Sequence, residues 1–561
     1  MKKANNRIRP AFLYLLSLTG LAICIASSIG HEFQSVPVGT PFGLWGVLPL
    51  PYWIGIGVMA LGMFIGMRQG SETVFFLQTL MLFVAMWGAP ALFEKYPTIF
   101  DSYMHYYSAV DIARNGFVSS AAAFEYSYNY PGFFALAASY ILLGNPPELL
   151  FLKLWPLFVA AFTLAAMYLF TRTYVPGLDY RMAFLIVAFV NVWLQFNFSP
   201  QSIGLAIGLL IFVCLEREGR AWKFTAVALF SFLVLAHPTT MIFVLGAVFL
   251  REVMVRLHRF FMARDRPMRK EKAWPVGAFL LIFLGWYITG AGEFTLNLSK
   301  FIAERVQYLG YMGETMQDQI VMRTSADNIL GTLYPQIRTL AVGLFGLLTL
   351  IAFIVFWYNR RKSTAVGLPK NILPLFFIPL IIIPLDTLFF NGQLYDRGLL
   401  YIMLVAPIIF VPILMGKGRR IARPALAAVV AVAVVLVAST LFYQESLYTS
   451  SDESMAVSEY LANGVPPTYV VGGYYPYKVW GSSGEDYQRL KYSTVYPEPP
   501  RNLSANLGPG TYVFDDTSEL WYRQWGIRNM YDYYADQAAS NYKVYDNGNY
   551  WVMYAPPAPR G

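Results

Sequence analysis

The sequence predicts a polytopic α-helical membrane protein that ends in a soluble α/β domain. Hydrophobic residues make up 57% of the 561 positions and charged residues only 13%, against about a quarter charged in ordinary soluble domains. The apolar residues gather into uncharged runs such as 425–442, each long enough to cross a hydrocarbon core of roughly 30 Å at about 1.5 Å per residue. From Gln444 onward the chain turns polar and rich in tyrosine.

About thirteen spans follow, near 11–30, 51–67, 73–93, 148–171, 182–197, 202–216, 223–236, 239–254, 275–291, 337–357, 372–390, 398–416 and 423–443. The first resembles a signal peptide, but its apolar stretch is long and further spans follow soon, so it reads as a retained helix. The run across His237 and Pro238 is long enough for one kinked helix. The polar His-Pro-Thr-Thr break divides it into two. The apolar segment 132–143 is too short to span, and counting it would invert every later loop. It reads as a juxtamembrane or re-entrant helix.

The net charge of +9 would suit a nucleic-acid binder, but the basic residues are spread over short segments between apolar runs. With the N-terminus inside, the cytoplasmic segments hold Lys2, Lys3, Arg7, Arg9, Arg68, Arg172, Arg181, Arg217, Arg220 and Lys223. The basic stretches 251–272, 360–370 and 417–423 join them. That is the positive-inside pattern, not a DNA-binding face. Cys24 and Cys214 both fall in apolar runs and give no disulfide framework or Cys-based metal site. The expected organisation is a membrane domain, 1–443, with external loops 94–147 and 291–336, and an extracytoplasmic α/β domain, 444–561. In the latter, 452–463 reads as a helix and 468–473 and 511–514 as strands. Residues 542–554 read as a hairpin around Asp546-Asn547-Gly548.

The first external loop carries Asp101-Ser-Tyr-Met-His105-Tyr-Tyr-Ser108, closed by Asn115-Gly116 as a helix stop. Asp101, His105 and Ser108 share one helical face. A carboxylate there suits a general base towards a hydroxyl acceptor, and equally a helix N-cap. Farther on, Tyr126-Ser-Tyr128-Asn-Tyr130-Pro-Gly132 suits either interfacial anchoring or the lining of a sugar site.

An acidic motif after an early span, then Tyr and Pro, a short helix and a long span resemble the first external loop of GT-C glycosyltransferases. The Asp101–Tyr107 stretch is similar to the acidic motif of their oligosaccharyltransferase relatives. Asn197-Phe-Ser-Pro-Gln201 and His237-Pro238 also resemble recurrent features of prokaryotic members. The likeness covers about residues 70–420. It implies an inverting transferase at the outer membrane face, working on a polyprenyl-phosphate sugar, dolichyl-phosphate mannose for example. The acceptor is a glycan, lipid or protein.

Many members pair acidic residues in this loop. Here Ser102 and Tyr103 follow Asp101, and Asp111 points about 80° away on a helix, so the resemblance implies the branch without a metal or other cofactor. It further implies Asp101 as base, with Lys153, His237 or Arg397 on the donor phosphate. His105, Tyr128, Tyr130, Gln201 and Asp386 would bind sugar or acceptor. Asp386 is singled out as a carboxylate inside an apolar run. A metal-dependent oligosaccharyltransferase-type enzyme and a flippase of lipid-linked sugars are the alternatives. The flippase is disfavoured by the lack of an internal repeat.

Overall fold

The structure is a computed structural model. It describes residues 10–118, 126–262, 274–307, 329–360, 372–389, 394–415, 422–443 and 450–462, with five strands beyond, apart from positions 34, 35, 38, 39, 100, 176 and 178. The basic stretches 263–273, 361–371 and 416–421, and the turn residues Asn547 and Gly548, lie outside the described residues.

The described helices are α1 (Pro10–Ser28), α2 (Leu44–Val47), α3 (Leu50–Gln69), α4 (Glu72–Trp87), α5 (Ala89–Phe93), α6 (Asp101–Asn115) and α7 (Tyr126–Asn129). They continue with α8 (Pro131–Gly144), α9 (Glu148–Tyr174), α10 (Asp179–Val190), α11 (Pro200–Glu216), α12 (Arg220–Ala236), α13 (Pro238–Met262) and α14 (Trp274–Thr289). Next come α15 (Gly292–Gln307), α16 (Ile329–Arg360), α17 (Leu373–Phe389), α18 (Tyr395–Leu414), α19 (Ala422–Ala438) and α20 (Asp452–Ala462). Five of these, α1, α3, α9, α16 and α18, are long and apolar enough to cross a membrane. Six shorter apolar helices accompany them, and the chain is an α-helical membrane protein. The buried apolar side chains along α18 put that helix at the centre of the bundle, while α1, α9 and α16 each expose leucines or phenylalanines along one face, as lipid-facing helices do.

Helices occupy every predicted span, with informative differences at the ends. The run predicted over 73–93 breaks at Gly88 before Pro90, giving α4 and α5. The run over 182–197 stops being helical at Val190, where Asn191 Nδ2 donates to the Leu400 carbonyl at 3.0 Å. The predicted loop 291–336 contains α15, and α16 begins at Ile329.

His237 is extended, with φ −152° and ψ 106°, between α12 and α13. The chain reverses there. A Cβ on Gly204 would meet Thr240 and His237, and one on Gly208 would meet Val244, so α13 runs parallel to α11 and therefore antiparallel to α12. The short helix α8 does not cross the bundle. At its start Gly132 abuts Leu235, the penultimate residue of α12, and Phe133 packs on Trp155 and Phe198. Four residues past its end, Glu148 accepts from the Tyr107 hydroxyl of α6 at 3.1 Å. Both ends of α8 therefore lie at one end of the bundle.

Polar contacts segregate in the same way. At that end Lys153 pairs with Glu32 at 3.0 Å, Lys95 with Asp452 at 2.6 Å, and Arg397 Nε donates to Gln201 Oε1 at 2.9 Å. At the other end Arg172 pairs with Glu72 at 2.9 Å. Arg181 there donates to the carbonyls of Met67 and Gly70 at 2.9 and 3.2 Å. Arg172 and Arg181 thus lie at the bundle end opposite Lys153 and Arg397.

Beyond α20 the described strands are β1 (Thr468–Val471), β2 (Leu490–Ser493), β3 (Gly510–Asp515), β4 (Tyr542–Asp546) and β5 (Tyr550–Ala555), in the order β2-β1-β3-β5-β4. β1 is parallel to β2 and β3, while β5 is antiparallel to β3 and β4. β2 had no sequence signal, because Leu-Lys-Tyr-Ser carries too little apolar alternation to mark a strand.

Candidate functional site

The site lies at the bundle end that holds α6, α8 and the His237 turn. Its floor is the non-helical stretch 191–199. Two cavities share Leu194, Gln195 and Phe196 of that stretch. The larger, about 190 Å³, is walled by Trp87, Phe196 and Phe442, with Lys153, Arg338, Thr98, Ser102, Gln195 and Asn197 as polar groups. The smaller, about 20 Å³, is bordered by Arg397, Gln201, Thr240 and Tyr401. It has room for about one water.

Lys153 follows Leu152 in the first turns of α9, so its stem crosses apolar surface and its ammonium reaches the rim. Its side chain is 19% exposed and its partner Glu32 54% exposed. Arg397 stands in the first turn of α18, where Asp386, Asp396, Tyr126 and Tyr401 lie in electrostatic reach. Asp386 is fully buried near the end of α17 and accepts the Leu394 N–H at 2.9 Å. It thereby fixes Leu394, three residues before Arg397. His237 is buried, with Nδ1 2.7 Å from Thr240 Oγ1, and both Arg397 and His105 lie in electrostatic reach of its ring.

Asp101 opens α6 and is half-buried. Burial pushes its carboxyl up to about 6. Its neighbours Ile99 and Ser102 line the larger cavity, whereas Asp101 lines neither. One turn on, His105 packs 5.6 Å from Phe134 and 6.4 Å from Tyr126. Burial lowers its imidazole to about 3, so the ring is neutral at physiological pH.

The fold thus gathers His105, Gln201, His237, Asp386 and Arg397 into one cluster and puts Lys153 on the adjoining cavity. Tyr128 and Tyr130 line neither cavity. Tyr130 is buried, and its hydroxyl donates to that of Tyr287 at 3.0 Å, which ties α8's entry to α14. Among the described residues no three of His, Cys, Asp and Glu converge as a metal site would require.

Within the 126–132 motif the sequence reading chose Tyr128 and Tyr130 rather than Tyr126, and it missed Tyr401 and, above all, Glu94. Glu94 is fully buried, with Lys153 in electrostatic reach, and burial pushes its carboxyl up to about 8. An acidic residue immediately after an apolar run was the available signal.

No family model matches the chain, and no curated protein matches it. Solved structures similar to it include the crystal structure of ArnT from Cupriavidus metallidurans bound to undecaprenyl phosphate. That likeness has 11% identity and a TM-score of 0.44, over 86% of this chain and 97% of that one. At that degree of superposition, the site's chemistry has to be read from its own residues.

Proposed function

We propose that the chain is an inverting membrane glycosyltransferase. It moves a sugar from a polyprenyl (dolichyl) phosphate donor to a glycan, lipid or protein acceptor at the outer face. The observation that carries this reading is the pair of adjoining cavities at one bundle end. Both are walled largely by apolar or aromatic side chains; the larger presents Lys153 and Arg338 and the smaller Arg397, beside uncharged hydrogen-bonding groups. Aromatic walls with sparse polar groups suit a sugar, and a cation near lipid depth suits a lipid phosphate. The basic inner loops orient the N-terminus to the cytoplasm and this end, with the C-terminal domain, outside.

In the proposed reaction Asp101 accepts the proton of the acceptor hydroxyl, and that oxygen attacks the anomeric carbon. The bond from the anomeric carbon to the phosphate oxygen breaks, and its electron pair stays with the polyprenyl phosphate. Lys153 and Arg397 stabilise the charge of the departing phosphate. A carboxyl near 6 suits a base working at neutral pH. Below that value it is protonated and cannot accept, so kcat/KM falls as pH drops through about 6.

The test is transfer of labelled sugar from polyprenyl-phosphate donors by purified wild type and Asp101→Asn. The variant is expected to lose about 100-fold or more, the scale of a general base, and to lose the acid limb of the pH profile. A folded Asp101→Asn protein with wild-type transfer would remove Asp101 from the mechanism.

A further inference from the structure

The wall behind Lys153 holds a group that the proposed reaction does not use. Glu94 has no exposed surface. Its backbone is pinned on both sides by Phe33: the Phe33 N–H donates to the Phe93 carbonyl at 2.6 Å, and the Lys95 N–H donates to the Phe33 carbonyl at 2.9 Å. The hydroxyl of Thr98, itself on the larger cavity, donates to Glu94 Oε2 at 3.1 Å. Oε1 has no hydrogen-bond partner among the described residues. A carboxylate sealed in this way is stable only when neutral or met by a cation.

The cation in reach is Lys153, whose ammonium is now held by Glu32, the residue before Phe33. The other polar groups nearby are engaged: Lys95 and the Tyr96 hydroxyl both donate to Asp452 of α20, at 2.6 and 2.5 Å, and Arg338, the cavity's other cation, donates to Thr440. Lys153 therefore stands between a solvated acid at the rim and a buried acid behind the wall.

We infer that Glu94 is a positioning residue for the donor phosphate: ionised, it competes with the phosphate for Lys153, and protonated, it releases Lys153 to it. The inference rests on the lipid-phosphate reading above. Burial pushes the Glu94 carboxyl up to about 8, with the Thr98 hydrogen bond and Lys153 opposing. A phosphate at Lys153 disfavours ionised Glu94, so binding takes up a proton wherever free Glu94 is ionised. The dissociation constant is then flat below about pH 8 and rises above it, by at most about tenfold per pH unit for one proton.

The experiment measures binding of polyprenyl phosphate, in detergent micelles, to the purified full-length protein from pH 7 to 9.5. Above pH 7 the phosphate's own second ionisation, near 6, is complete. Wild-type Kd is expected to rise about tenfold across this range, while Glu94→Gln stays flat at or below the wild-type value of pH 7. Glu32→Gln, which frees Lys153 from the rim, is expected to bind more tightly and keep the rise. A pH rise retained in Glu94→Gln, or lost in Glu32→Gln instead, overturns the inference and leaves the lipid-phosphate reading intact. No binding by wild type at any pH overturns both.

Discussion

The two cavities that meet at Leu194–Phe196 hold their cations in different ways. In the larger one, Lys153 sits at a rim beside a half-exposed acid, with a second acid buried behind it. In the smaller one, Arg397 is fixed by Gln201 and surrounded by Asp386, Asp396, Tyr126 and Tyr401, with space for little more than a water. The chemistry of the two side chains matches. An ammonium on a flexible stem can change partners, whereas a planar guanidinium is preorganised by several fixed acceptors. One cavity is therefore built to exchange an anion and the other to hold a charge in place.

The largest effect expected from this contrast is on Arg397. Arg397→Ala strips Gln201 of its donor and leaves Asp386 buried without that countercharge. Arg397 is half-buried and faces Asp386 electrostatically, so the cost is expected to approach at most the roughly 3–5 kcal/mol of a broken buried ion pair. Thermal unfolding in detergent should show a marked fall in melting temperature, with transfer abolished. Arg397→Lys should recover only part of it, because an ammonium cannot reproduce the planar donor set. A melting temperature unchanged in Arg397→Ala would mean that the smaller cavity does not hold its cation tightly, and the contrast would fail.

How much of this was readable beforehand follows from the physics of each part. The recurrence of apolar helices was legible because apolar length is a local property; five of them are long enough to cross a membrane and six are shorter. The exclusion of α8 was legible because charge sidedness propagates along the whole chain. The break after Val190 was not, since Trp193, Leu194, Phe196 and Phe198 continue the apolar run, and what ends the helix is Asn191 meeting the distant Leu400 carbonyl. Arg397, His237 and Gln201 could be named singly as polar groups at outer span ends. Their convergence depends on α11, α13 and α18 packing together. Glu94 looked like an ordinary loop acid because its meaning comes from Phe33, Thr98 and Lys153. Tyr130, conversely, looked like a sugar contact in sequence, whereas its hydroxyl is engaged by Tyr287.

A smaller effect tests the scaffold that holds α6, whose Ser102 lines the larger cavity. A Cβ on Gly132 would lie 2.9 Å from Leu235 Cβ and 3.1 Å from the Leu235 backbone carbon. The backbone cannot rotate away as a flexible side chain would, so Gly132→Ala must shift α8 off the end of α12. Overpacking of this kind costs about 1–3 kcal/mol. Denaturant or thermal titration should show that loss. Transfer should fall as well, because α8 carries the packing surface of His105. Stability lost with full transfer would show that α8 does not position the loop helix.

The smallest effect on stability, and the sharpest separation of the two cavities, is expected at Lys153. Its ion pair with Glu32 is partly exposed, and such pairs contribute about 0–1 kcal/mol. Lys153→Gln should therefore melt within a degree or two of wild type, in contrast to Arg397→Ala. Its affinity for polyprenyl phosphate should nevertheless fall about tenfold or more, since a hydrogen bond to a charged group contributes about 1.5–3 kcal/mol. The dependence of binding on pH above 8 should vanish with it, because Glu94 then has no cation to contest. A large loss of stability in Lys153→Gln would place Lys153 among the structural charges with Arg397. The phosphate would then have to be met by the larger cavity's other cation, Arg338, which donates to the Thr440 hydroxyl and carbonyl.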